Sequence, residues 1–260
     1  HLGSEEYEPD ASVFEKTPLE PMNLYLGTPG KLAADGGANP YRYGHLVEVT
    51  VNPDGSTKAI KHYSMGRLAF ELGDVMGDRK TVYMGDDGDD VIRAMFVADK
   101  EGDLSAGTLY AAKWIQEDAT RYGKARLQWI KLGHTSDTEI EALIAKGTRF
   151  SDIFEVASAD AVKAEPAKYE GFKPVYVYSG TGGKTQLEYL KLKPGMEQAA
   201  AFLETRRYAA YLGATTEFTK MEGQAHSNAD KKLWTVISYV RKGMIDGQNK
   251  ERPQDDIKLA

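Results

Sequence analysis

The sequence predicts an antiparallel all-β fold with helical insertions. Three observations carry this reading: strand-like runs that come in pairs, short turn signals between them, and only two stretches with helical character in 260 residues. Short strands at such spacing fit four-stranded modules of the β-propeller kind, and they fit a sandwich as well.

Residues 1–40 are rich in Gly, Pro and acidic side chains, most loosely in "GTPGKLAADGGANP" (27–40). They predict an irregular segment held by something other than its own ladder of hydrogen bonds. "YGHLVEVTV" then alternates with period 2, Leu46 falling out of phase with Val47, Val49 and Val51; after the turn "NPDGS" the chain returns as "TKAIKHYS". "KTVYMG" with "VIRAMFVADKEG" makes a second pair, "GTLYAAKWI" with "ARLQWIKL" a third, and "KPVYVYSG" with "LEYLKLK" a fourth. "KKLWTVISYV" opens a fifth.

Two insertions interrupt the strands. In "SDTEIEALIAKG" (136–147) Ser136 and Glu139 form a capping box, Ile140, Leu143 and Ile144 share a face, and Gly147 is a stop signal. "GMEQAAAFLETRRYAAYLG" predicts one alanine-rich helix over about 195–212, ended by Gly213. No clean linker divides the chain, so residues 1–260 read as one domain.

Composition narrows the function. With 39 acidic against 33 basic residues the net charge is −6, and no basic block exists to neutralise phosphates, which argues against nucleic acid. No apolar run approaches the roughly 18 residues of a membrane span. The absence of cysteine excludes disulfides, thiolate nucleophiles and cysteine-held metal sites. The opening "HLGSEEYEPD" has neither methionine nor signal peptide, which predicts a processed or truncated product.

"MGDDGDD" places Asp86, Asp87, Asp89 and Asp90 within five positions, directly after an apolar strand. A solvated turn tolerates them; a hard cation, which takes six to eight oxygens, would also gather them. EF-hand spacing is absent. Glu71, one strand earlier, would reach the same rim if the two strands pair. Lys220 and Glu222, two apart in "KMEG", fit a surface ion pair, or a metal ligand beside a phosphate-binding cation. "SGTGGKT" lacks the first glycine of a phosphate loop, and the five histidines show no zinc spacing. Arg206 and Arg207 read as solvent-facing, and Trp114, Trp129 and Trp234 as core.

The ordered set "MGRLAFELGD", "VYMGDDGDD", "FLETRRYAAYLGAT" and "KMEG" resembles the PhoX-type alkaline phosphatases, over nearly the whole chain. That resemblance implies an exported, periplasmic or extracellular phosphatase acting on phosphate esters, on a β-propeller scaffold with iron and calcium ions. It implies metal-binding roles for Glu71, for Asp87 with Asp86 beside it, for Glu222, and for Glu5 and Glu6. Lys220 stands where the family has a phosphate-contacting arginine, which keeps the charge and loses the bidentate fork. Ser4 replaces the iron-binding cysteine, which points to calcium before iron, and Phe70 replaces a histidine. The family's chains continue well past the position of Ala260. The resemblance therefore implies an incomplete propeller, completed by another chain or cut from a longer precursor. The rival expectation is a calcium-binding propeller without catalysis, serving as a surface or assembly protein.

Overall fold

A computed structural model of the chain describes residues 1–120, 122–248 and 251–260. The first sheet joins β1 (Leu2–Ser4), β2 (Leu46–Val51) and β3 (Thr57–His62), all antiparallel, with Leu46 opposite His62 and Val51 opposite Thr57. Between β1 and β2 lie the short helices α1 (Ala11–Phe14) and α2 (Glu20–Leu26). The loose stretch after α2 is pinned by buried Asn23. Its amide donates to the Lys31 carbonyl at 2.7 Å, and its oxygen accepts from the Ala38 backbone at 2.7 Å. A side chain thus supplies the hydrogen bonds that the backbone lacks.

The main sheet has five antiparallel strands. β4 (Phe70–Val75) and β5 (Thr81–Asp86) are followed by the short β6 (Asp89–Val91), which leaves the sheet; β7 (Ala94–Lys100), β8 (Asp103–Asp118) and β9 (Lys124–Ser136) complete it in the order β4-β5-β7-β8-β9. Alternation decides its faces: Val82, Met84, Ala94, Phe96 and Ala98 are all buried, as are Leu109 and Ala111. The capping box at Ser136 and Glu139 starts α3 (Asp137–Ala145), which turns Ile140 and Ile144 into the core.

After α4 (Phe150–Ile153) come β10 (Phe154–Ser158), α5 (Ala159–Ala164), β11 (Lys173–Val177) and β12 (Gln186–Leu192), the strands pairing in the order β10-β12-β11. The alanine-rich stretch is two helices where one was expected: α6 (Glu197–Leu203) and α7 (Thr205–Tyr211). The chain breaks at Glu204 (φ −123°, ψ 45°), whose buried carboxylate accepts from Tyr41 Oη at 2.8 Å and Arg207 Nη1 at 2.9 Å. Residues Ala199–Leu203 are all buried. Gly133 on β9 permits that approach, since a Cβ there would sit 3.0 Å from the Phe202 ring.

The remaining strands are β13 (Phe218–Thr219), paired with β6, and the hairpin of β14 (Met221–Ser227) and β15 (Lys232–Ile237). A smaller core of Val91, Phe218, Met221, Met244, Ile257 and Leu259 sits beneath them. The chain is mostly β in sheets of three, five, three, two and two strands. The expected four-stranded modules do not form among the described residues. No described helix is long and apolar enough to cross a membrane.

Candidate metal centre

Sequence-distant carboxylates meet at one rim. β1 lies along β2, and Ser4 Oγ donates to the Glu71 carbonyl at 2.6 Å, which brings the chain after β1 to β4. The β4–β5 register slips between Phe70 and Leu72, so Glu71 occupies a bulge, a device that re-aims a side chain. Asp87 follows β5 directly, its backbone N–H held by the Ala69 carbonyl at 2.8 Å. Carboxylate oxygens of Glu6, Glu71 and Asp87 lie within 4.8 Å of one another.

Lys220 closes the group. Its Nζ is 2.7 Å from Asp87 Oδ1 and 3.4 Å from Glu222 Oε1. The lysine has a left-handed backbone (φ 43°), and its N–H donates to the Gly88 carbonyl at 2.8 Å. That bond ties the β13–β14 junction to the aspartate turn, so the strain is held by contacts on both sides.

The charges are out of balance. A hydrogen bond with Asp87, then burial, then the Glu71 charge raise the Glu6 pKa above the usual carboxylate range, against Lys220. Glu71 is raised by burial first, then by Asp87 and Glu222. The hydrogen bond to Asp87 leads in raising Lys220.

The other expected ligands face elsewhere. Glu5 Oε2 accepts from the Gly44 and His45 backbones at 3.1 Å each, and Oε1 lies 2.6 Å from Lys61. Asp86 is fully buried and gripped by Arg206, with Nε to Oδ2 at 2.8 Å and Nη2 to Oδ1 at 2.6 Å. Asp89 takes Arg241 at 2.9 Å and Lys242 at 2.7 Å, and Asp90 takes Arg252. All four aspartates are therefore met by basic side chains, and Asp86, Asp89 and Asp90 lie outside the carboxylate cluster, which corrects the expectation that cations gather the whole turn. Only Asp87 stands in the cluster.

Arg206 and Arg207 are the second correction. Both are buried, not solvent-facing. Burial alone would depress the Arg206 pKa; Asp86 and Glu8 outweigh it and raise it. Arg207 is ringed by Glu188, Glu204 and Asp10 at 2.9, 2.9 and 3.2 Å. Trp234 is 52% exposed, against the core role expected of it.

No protein-family model and no curated protein matches the chain. Among solved structures the chain is similar to Pseudomonas fluorescens PhoX in complex with vanadate, a transition state analogue. The identity is 21% and the TM-score 0.47, over 84% of this chain and 31% of that one. The chain thus spans about a third of that structure's length. No residue role follows from a likeness this distant.

Proposed function

We propose that the chain is a calcium-dependent hydrolase of phosphate monoesters, exported, with its centre at Glu6, Glu71 and Asp87. On this reading residues 1–260 form one domain, part of a β-propeller that another chain or a further segment completes. The observation that supports it is the charge imbalance at the rim. Among the described residues, Lys220 pairs with Asp87 and Glu222, and Glu6 and Glu71 feel the same ammonium without an ion pair of their own to it.

The residues present fit calcium. Every donor is a carboxylate oxygen, the hard ligand that calcium prefers. Iron has no comparable support, since the Ser4 hydroxyl donates to the Glu71 carbonyl instead of facing the cluster. Bound calcium would supply positive charge for phosphoryl oxygens and acidify a water. Lys220 would then turn from Asp87 toward a phosphoryl oxygen, acting as a point charge without a bidentate fork. Glu222, 3.4 Å from its ammonium, holds Lys220 at the rim. Glu5 and Asp86 support the rim from behind, through the Gly44–His45 backbone and through Arg206.

A second reading, a calcium-binding propeller without catalysis, is favoured by one observation. Lys220 is engaged by two carboxylates and offers an anion little free charge. Hydrolysis of p-nitrophenyl phosphate with and without calcium, alongside a count of bound metal, separates the two. Turnover that requires calcium and is abolished by Glu71→Gln, with unfolding unchanged, supports the phosphatase. Bound calcium without turnover supports the second reading, and neither calcium nor turnover defeats both.

A further inference from the structure

A separate cleft lies beyond β14. Met221 lines it, whereas its neighbours Lys220 and Glu222 belong to the acidic rim. It measures about 640 Å³, within the range of small-molecule sites. One wall is the main sheet, with Tyr83, Trp114 and Trp129; the other is the β14–β15 hairpin. Tyr83 and Trp129 stand 5.7 Å apart, and Trp114 meets Phe218 edge-on at 6.1 Å.

Arg93 is the anomaly in this lining. It is 7% exposed, yet it has no ion pair among the described residues, and its Nη1 has no hydrogen-bond partner. Its guanidinium carbon lies 5.8 Å from the centre of the Tyr83 ring. Equally buried arginines are treated differently: Arg67 has Glu8 at 3.6 Å, Arg206 has Asp86 at 2.6 Å and Arg207 has Glu188 at 2.9 Å. A buried guanidinium without a counter-charge is unfavourable. Burial accordingly pulls its pKa down to about 10. Asp78 is the one carboxylate in the lining, and its oxygens already accept from Lys80 and Thr81. Lys231 and Lys232 add positive charge. An acidic protein has here built an aromatic cleft of positive sign.

We infer that this cleft binds a flat aromatic anion, its rings against Trp114 and Trp129 and its oxyanion head on Arg93. The aromatic walls supply stacking area, and the guanidinium supplies charge-assisted hydrogen bonds to a carboxylate or phosphate-type head. The site is independent of the acidic rim and does not rest on the phosphatase reading.

Calorimetric titration of the full chain with 2-naphthoate, naphthalene-2-phosphonate and neutral 2-naphthalenemethanol tests this. Both anions are expected to bind at least tenfold more tightly than the alcohol, and their ratio distinguishes a carboxylate from a phosphate-type head. Arg93→Met should weaken the anions tenfold or more and leave the alcohol unchanged, while Arg93→Lys retains part of the preference. Because Arg93→Met removes an unpaired buried charge, its thermal midpoint should not fall. Trp129→Leu should weaken all three probes, which keeps a test available should Arg93→Met not fold. Glu71→Gln should change none of the affinities. Equal binding of anions and alcohol, or no binding of any probe, overturns the inference. So does an unaffected Arg93→Met, or a dimer that covers the face and excludes the probes.

Discussion

Arg206 holds Asp86 through two hydrogen bonds of 2.8 and 2.6 Å in a fully buried site, while the next residue, Asp87, is turned out to the rim and to Lys220. Two adjacent carboxylates of one turn thus do different work. The first locks α7 to the end of β5; the second is the candidate ligand.

Asparagine at the two positions should separate these roles. Asp86→Asn leaves the Arg206 charge without its main partner and is expected to remove about 3–5 kcal/mol of stability. Urea denaturation should show that loss whether or not calcium is present. Asp87→Asn relieves like-charge repulsion at the rim. It should alter stability little in chelator and remove any stabilisation gained on adding calcium.

Asn23 is expected to hold residues 27–38 in place. Asn23→Ala leaves the Ala38 N–H and the Lys31 carbonyl without their partner, at about 1–3 kcal/mol for each group left unsatisfied. Limited proteolysis should cut this stretch first in the variant, and not in the parent chain.

His45 makes the fold acid-sensitive. Burial pushes its imidazole down to about 3, despite carbonyls of Gly66 and Tyr41 at 3.0 Å from its two ring nitrogens. Between that value and the ordinary 6.5, the unfolded chain binds a proton that the folded chain refuses. This contribution to stability is therefore complete above pH 6.5 and is lost as pH falls. At pH 5 the loss is about 2 kcal/mol. Denaturation midpoints at pH 7 and pH 5 should differ more for the parent chain than for His45→Gln.

Much of this architecture is legible locally. Alternation in "YGHLVEVTV" and its return predict the β2–β3 pairing, and Ser136 with Glu139 predicts the start of α3, because these signals lie within a few residues of their effect. The fate of the charges does not. Arg206 finds Asp86 across 120 residues and Arg207 finds Asp10 across 197, so a helical pattern that reads two arginines as solvent-facing has no access to their partners. Glu204, which breaks the long helix, is equally opaque, since its partner Tyr41 lies 163 residues away. Local spacing offers Glu6 no tie to Glu71 and Asp87; the meeting depends on the pairing of β1 with β2 and on the bulge in β4. Arg93 did carry a local signal, a lone charge inside the apolar run "VIRAMFV".

Calorimetric titration of calcium into the metal-free chain and into Glu71→Gln addresses the shared-cation claim most directly. The account predicts one calcium bound at the rim of the parent chain, with binding at least tenfold weaker in the variant. A parent chain that binds no calcium, or a variant that binds it equally well, would contradict it.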